Sequence, residues 1–219
     1  MIDSTGKTTK SELGFIHQFI PSAEKGNKSP TLLLLHGTGG NEQDLISLGQ
    51  ELYRHAAILS PRGKVLEGGM PRFFRRLAEG IFDIEDLKFR THELADFVEN
   101  ASRVYGFNLK NAISIGYSNG ANIASSLLLL RPEVLSSAVL FRPMIPLTPE
   151  NIPNLETKNI FMAAGERDPI VPKEQTEMLY ALFKKAGANV SLRWQKNSGH
   201  GLDYDEISAA REWLSQIAI

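Results

Sequence analysis

The sequence predicts an α/β domain with a mainly parallel, twisted sheet and helices on both faces. Short apolar runs alternate along the chain with longer segments of helical period, as in successive strand–helix–strand units. The apolar runs are continuous rather than alternating, which is typical of strands covered on both faces. The 219 residues contain no repeat and no linker, so one domain over residues 1–219 is expected.

Seven strands are predicted. Five are buried: Thr31–His36, Ala57–Ser60, Ala112–Gly116, Ser137–Phe141 and Asn159–Ala164. Phe15–Ile20 is predicted as an antiparallel strand at the start. Val190–Gln195 alternates apolar and polar residues, which favours a strand nearer an edge of the sheet.

Helices are predicted in the intervals. Asn41 can cap a helix that runs to about His55. The 3.6-residue period predicts helices over Leu87–Tyr105, Ala121–Leu130 and Lys173–Ala186. Ala121–Leu130 is apolar almost all round, so it should be central. The last helix begins at Asp203–Glu206, a capping-box pattern with Asp in place of Ser or Thr.

Composition and charge argue against several functions. The net charge of −1 does not indicate nucleic acid or an anionic membrane as a partner. The chain has no cysteine, which excludes disulfides, thiolate metal sites and a cysteine nucleophile. The longest apolar runs are much shorter than the ~20 residues of a membrane span. Met1–Gly14 lacks the apolar core of a signal peptide, so the cytoplasm is the expected location.

The pentapeptide Gly116-Tyr-Ser118-Asn-Gly120 follows a predicted strand and precedes the central helix. This is the G-x-S-x-G pattern in the context that a nucleophile elbow requires. A sharp strand-to-helix turn projects the serine hydroxyl above the sheet, and small residues two positions away let the strand and helix pack closely. The alternative is a chance Gly/Ser turn. We therefore predict Ser118 as a nucleophile.

A base and an acid are predicted in later loops. His200 lies in the glycine-flanked loop 198–202, between the last strand and the last helix. Asp168 follows the strand Asn159–Ala164 and would orient the histidine. Glu166 in the same loop and Asp203 near the last helix are rival acids. The order Ser118, Asp168, His200 is that of α/β-hydrolases.

The loop 36–40, of sequence His-Gly-Thr-Gly-Gly, follows the first core strand. An oxyanion hole needs two fixed N–H donors, and we predict the backbone amides of Thr38 and Asn119. A dinucleotide-binding turn is the rival interpretation, but Glu42 stands where that motif requires glycine. Residues 6–8, Gly-Lys-Thr, lack the upstream glycine of a phosphate loop. The sequence contains no H-E-x-x-H pattern, so it does not indicate a zinc site of that kind. No cofactor or metal is expected.

The segment Pro61–Phe89 is long for a connection. One interpretation is a cap over the site, apolar inside and basic outside. The other is a packed surface loop whose arginines are merely solvated. Candidate pocket residues come from this segment and from the stretch after the strand Ser137–Phe141: Met70, Phe73, Phe74, Phe141 and Met144.

Together these motifs resemble the phospholipase/carboxylesterase group of α/β-hydrolases, which includes bacterial carboxylesterases and acyl-protein thioesterases. The likeness runs from about Leu32 to the C-terminus and includes Pro61, the pair Gly68-Gly69 and the pair Phe82-Asp83. The group often has Leu where Thr38 stands and Gln where Asn119 stands. Because the backbone donates, catalysis should survive both differences.

The resemblance implies the α/β-hydrolase fold, ester or thioester hydrolysis without a metal or cofactor, and often a homodimer. The expected function is a serine carboxylesterase for short-to-medium acyl esters of small molecules, since no large lid domain fits in this length. An acyl-protein thioesterase or lysophospholipase is the alternative within the hydrolases. A non-catalytic α/β-hydrolase module that binds a small ligand is the alternative outside them.

Overall fold

A seven-stranded sheet forms the centre of the computed structural model, which describes residues 13–23 and 29–217. Residues 6–8 and nearly all of Met1–Gly14 lie outside those ranges. The strands of this sheet are β1 (His17–Ile20), β2 (Thr31–Leu35), β3 (Ala57–Pro61), β8 (Ala112–Tyr117), β9 (Ser137–Phe141), β10 (Asn159–Gly165) and β11 (Asn189–Gln195). Two small two-stranded sheets lie in the connection after β3: β4 (Val65–Glu67) with β5 (Met70–Arg72), and β6 (Arg76–Ala78) with β7 (Ile81–Phe82).

The strand order in the large sheet is β1-β3-β2-β8-β9-β10-β11. Only β1 pairs in an antiparallel direction, with β3, as predicted for the first strand. The remaining pairs are parallel. Strand β11 lies at the edge, as its alternating pattern predicts.

In the described part of the chain, five α-helices cover the sheet: α1 (Ile46–Leu52), α2 (Ile84–Tyr105), α3 (Asn119–Leu130), α4 (Lys173–Lys185) and α5 (Tyr204–Ile217). Strand β2 explains why both faces are covered, because its side chains enter two cores in alternation. Leu33 and Leu35 pack with residues of α2, α3 and α4, whereas Leu32 and Leu34 pack with residues of α1 and α5. The predicted mainly parallel sheet with helices on both faces is therefore confirmed.

Helix α1 is shorter than the predicted Asn41–His55. The Asn41 side chain accepts a hydrogen bond from Gln43 N at 2.8 Å, which forms a local turn that competes with helix. Glu42 is bound instead to Arg62 at 2.5 and 2.8 Å. At the other end, Tyr53 is already extended, with φ −151°.

The connection from Pro61 contains two hairpins that the sequence pattern did not predict. Their strands have two or three residues, too few for a periodicity to be recognised. The first hairpin turns at Gly68 and Gly69, both with positive φ, and the second turns near Gly80, also with positive φ. Within the described ranges, no helix has the length and apolar character needed to cross a membrane.

Candidate active site

Three predicted site residues meet beyond the carboxyl ends of parallel strands. Ser118 follows β8, Asp168 follows β10 and His200 follows β11. Ser118 Oγ lies 2.9 Å from His200 Nε2, and His200 Nδ1 lies 2.8 Å from Asp168 Oδ2. This series of hydrogen bonds lets a neutral histidine accept the serine proton at Nε2 while Nδ1–H donates to the carboxylate.

The backbone around Ser118 has the strained geometry of a nucleophile elbow. Its φ of 53° and ψ of −114° are unfavourable for a residue with a side chain. Close packing also explains the flanking glycines. A Cβ at Gly120 would lie 1.8 Å from Leu35 O, and a Cβ at Gly116 would lie 2.6 Å from Gly120 O. Both positions must therefore lack a side chain.

Asp168 is the acid that the structure brings to the histidine. Its side chain is 2% exposed, and Oδ1 accepts hydrogen bonds from Ile170 N at 2.8 Å and Val171 N at 3.1 Å. These bonds orient Oδ2 toward His200. Of the two rival acids, Glu166 is exposed to solvent, and Asp203 caps α5 by accepting a hydrogen bond from Glu206 N at 3.1 Å.

A buried ion pair lies under the loop that carries His200. The Arg142 and Glu206 side chains are both 0% exposed. Arg142 donates to Glu206 and also to Gly199 O, Gly201 O and Ser198 Oγ. The carbonyls on either side of His200 are thus fixed by one guanidinium. The capping-box pattern predicts only a local role for Glu206, and no local pattern indicates its contact with Arg142.

Tyr117 also contacts the histidine loop. Its hydroxyl donates to His200 O at 3.0 Å, and the two rings lie 5.5 Å apart. Burial raises the pKa of Tyr117, so the hydroxyl keeps the proton that this bond requires. The same ring lies against the loop 36–40, where a Cβ at Gly37 would be 2.9 Å from it.

The two predicted oxyanion residues lie beside Ser118 in the lining of one cavity. Asn119 is the first residue of α3, so its amide has no acceptor within the helix. Thr38 lies in the loop after β2. Its Oγ1 accepts from Arg72 Nη1 at 2.7 Å, and Asn119 Oδ1 accepts from Phe73 N at 2.8 Å.

The cavity has a volume of about 350 Å³. Besides the residues around Ser118, the connection after β3 contributes part of its wall: Arg72, Arg76, Glu79, Gly80 and Phe82. Further lining residues come from α3 and from the loops after β9 and β10: Asn122, Met144, Ile170 and Val171. The lining is therefore mixed, with charged and apolar side chains.

Of the five predicted pocket residues, the structure places one in the lining of this cavity. Met144 lines the cavity. Phe73, Phe74 and Phe141 are at most 3% exposed and pack in the two cores instead. Met70 is 45% exposed and lies next to Gly39, outside the lining. Phe73 and Phe74 lie between the two hairpins and pack against the core, whereas Phe82 of the second hairpin lines the cavity.

The connection after β3 fits neither predicted interpretation. Its hairpins lie over the site and line it, but Arg72 is 4% exposed and faces the cavity while Met70 is exposed. The arginines are also not merely solvated. Arg62 binds Glu42, and Arg75 binds Asp83 at 2.9 Å.

His36 shapes the start of the loop 36–40. The buried ring bonds Gly37 O through Nδ1 at 2.7 Å and accepts from Gly63 N through Nε2 at 2.9 Å. Burial lowers the pKa of His36 below its ordinary value, in agreement with a neutral ring. This histidine therefore links the loop 36–40 to the connection after β3.

Comparisons with known proteins agree on the family. A model of the phospholipase/carboxylesterase family matches residues 17–218. MhqD of Bacillus subtilis (strain 168), whose name marks it provisionally as a hydrolase, is 47% identical over 196 residues, with 90% of this chain and 98% of MhqD covered. The crystal structure of the Bacillus cereus carboxylesterase has a TM-score of 0.89 and 48% identity, with 94% of this chain and 96% of that chain covered.

A second solved structure is that of YahD with malic acid. It has a TM-score of 0.84 and 30% identity, with 91% of this chain and 97% of that chain covered. The similarity therefore extends over nearly the full length of these proteins.

Proposed function

The chain belongs to the phospholipase/carboxylesterase family and is a carboxylic ester hydrolase, and we propose that it is a serine carboxylesterase for short-to-medium acyl esters. The observation that supports this proposal most directly is the continuous chain Ser118 Oγ, His200 Nε2, His200 Nδ1 and Asp168 Oδ2, with contacts of 2.9 and 2.8 Å. Asp168, at 2% exposure, is shielded from water as an orienting carboxylate should be.

In the proposed reaction, His200 takes the proton as Ser118 Oγ attacks the acyl carbonyl. The backbone amides of Thr38 and Asn119 donate to the oxyanion, and such a donor is typically worth ~3 kcal/mol. The C–O bond to the alcohol then breaks, and the alcohol leaves with the proton from His200. A water molecule attacks the acyl-enzyme in the same way, which releases the acid and restores Ser118.

The cavity supports a small substrate. Its volume of about 350 Å³ lies near the lower limit of ligand sites, which span ~300–1,000 Å³. Arg72 and Arg76 in the lining disfavour a long alkyl chain, because contact with the chain would displace water from their charges. The relative YahD was solved with malic acid, and a small polar ligand of that kind would suit this lining.

The proposal is tested by turnover of p-nitrophenyl acetate, octanoate and palmitate by the wild type and by Ser118→Ala. We expect higher kcat/KM for the acetate and octanoate, and no turnover above background by the variant. A preference for palmitate would favour the acyl-protein thioesterase or lysophospholipase alternative. No turnover of any ester by folded wild-type protein would favour a ligand-binding module.

A further inference from the structure

Three consecutive residues, Pro71, Arg72 and Phe73, contact both sides of the proposed oxyanion hole. Pro71 O accepts from Gly39 N at 2.9 Å. Arg72 Nη1 donates to Thr38 Oγ1 at 2.7 Å, and Phe73 N donates to Asn119 Oδ1 at 2.8 Å. We propose that this support segment, Pro71–Phe73, fixes the two oxyanion amides, and that Arg72 is a positioning residue that acts through Thr38. The inference rests on the serine-esterase function proposed above.

The loop that supplies the first amide needs such support. Three of its five residues, 36–40, are glycines, and Gly39 has a φ of 83°. Glycine gives a backbone more conformational freedom than any other residue, and Thr38 and Gly39 are both exposed. An oxyanion hole is effective only when its donors are already in place before charge develops. Hydrogen bonds from the loop 36–40 to a more rigid segment hold its amide donors in place.

Arg72 is well placed to be this neighbour. Its side chain is 4% exposed, and Nε lies 3.3 Å from both Phe74 O and Glu67 Oε2. Glu67 is held in turn by Arg76 Nη2 at 2.7 Å. The guanidinium is therefore held by a backbone carbonyl and a carboxylate. Its hydrogen bond to Thr38 Oγ1 in turn restrains the position of Thr38.

The support segment is itself packed against a close backbone neighbour. A Cβ at Gly63 would lie 2.4 Å from the carbonyl carbon and oxygen of Arg72, so the two backbones are in direct contact. Gly63 N donates to His36 Nε2 at 2.9 Å, which ties this contact back to the start of the same loop. The loop 36–40 is thus held at two points. Gly63 binds its first residue, His36, and Arg72 binds its middle residue, Thr38.

The other half of the arrangement concerns Asn119. Its Oδ1 is occupied by Phe73 N, so the side chain holds the first residue of α3 against the support segment. Thr38 and Asn119 are thus the two side chains that the support segment binds. A leucine at position 38 could not accept the bond from Arg72.

The test uses Thr38→Val, Arg72→Gln and their double variant, with p-nitrophenyl acetate as substrate. Thr38→Val keeps the shape and the backbone amide but loses the acceptor. We expect kcat to fall about tenfold, a fraction of the 10²–10³-fold loss of a whole donor. KM should change less than about twofold, because acylation and deacylation both pass through an oxyanion. Thr38→Ser, which retains the hydroxyl, should restore kcat.

Two further readouts separate positioning from general damage. The inhibition constant of a trifluoromethyl ketone, which forms an oxyanion on the serine, should rise by the same factor as kcat falls. The double variant should be no slower than Arg72→Gln alone, because both changes remove the same interaction.

As matched controls, Thr91→Val removes a buried hydroxyl bond in α2, and Arg75→Gln removes a neighbouring arginine that is 61% exposed. Both should leave kcat unchanged.

Unchanged kcat and inhibitor affinity in Thr38→Val would overturn the inference, as would losses that multiply in the double variant. Because Thr38 is exposed, its variants test the inference even if Arg72→Gln fails to fold. An inactive, folded wild type would refute the proposed esterase function, and the inference with it. An active wild type with an unaffected Thr38→Val would refute the inference alone.

Discussion

Arg142 binds Glu206 through two hydrogen bonds of 2.5 and 2.8 Å, and both side chains are completely buried beneath the His200 loop. Removing one member leaves the other charge buried without its partner. We expect Glu206→Gln and Arg142→Met each to lower the free energy of unfolding by about 3–5 kcal/mol, measured by urea denaturation. The double variant should lose less than the sum.

The matched control for this pair is Arg103→Gln. Arg103 lies 3.7 Å from Glu99 and is 70% exposed, so its loss should cost at most ~0.5 kcal/mol. The Arg142 variant should also lose kcat with p-nitrophenyl acetate, because the carbonyls of Gly199 and Gly201 lose their donor. Wild-type activity and stability in Arg142→Met would contradict the role assigned to the pair.

Asp168→Asn tests the choice of acid. The amide cannot stabilise the histidine cation and favours the wrong tautomer, and the corresponding change in serine proteases lowers kcat by about 10⁴-fold. We expect a loss of that order in ester turnover. Glu166→Gln, in the same loop but exposed, should leave kcat within about twofold. A larger effect for Glu166 than for Asp168 would show that the wrong carboxylate has been assigned.

Gly120→Ala tests the packing of the elbow. The new methyl group would lie 1.8 Å from Leu35 O, in the backbone of a central strand. We expect a destabilisation of at least ~3 kcal/mol, the upper range for overpacking. Gly201→Ala is the control, since nothing lies within 4 Å of its Cβ. Equal thermal stability of the two variants would argue against the close approach of β2 and α3.

His36 should make folding stability depend on pH. Burial lowers its pKa in the folded protein, while in the unfolded chain the value is near the ordinary ~6.5. As pH falls, His36 is therefore protonated at a higher pH in the unfolded state than in the folded state. The stabilising contribution is complete above pH ~6.5 and is lost as pH falls from there through the lowered pKa. Protonated Nε2 also cannot accept from Gly63 N.

The measurement is Tm between pH 8 and pH 5 for the wild type and His36→Gln, whose side-chain oxygen can still accept a hydrogen bond. We expect the wild type to lose more stability than the variant over this range. Parallel curves for the two proteins would contradict the assignment of a neutral, buried His36.

The sequence predicts the sheet well because its signal is local. Each core strand is a continuous apolar run, and these runs agree with the observed strands to within one or two residues, as for Ser137–Phe141. The G-x-S-x-G pattern also carries its own structural context, so Ser118 could be placed on a strand-to-helix turn. Asp203 and Glu206 bond reciprocally, as the capping-box pattern predicts.

What the sequence could not predict depends on contacts between distant segments. Arg142 and Glu206 are 64 positions apart, and no local pattern indicates that they meet. Composition predicts the aromatic pair Phe73 and Phe74 as pocket residues, but only the fold decides that both face the core. The sequence predicts Asn41 as a helix cap because a local turn and a helix N-terminus use the same residue types.

Ser118 is tested as the nucleophile by treating the protein with a fluorophosphonate and locating the adduct by mass spectrometry of its peptides. We expect one covalent phosphonyl group on Ser118 of the wild type, and no such adduct in Ser118→Ala. An adduct on another residue, or equal labelling of the variant, would contradict Ser118 as the nucleophile.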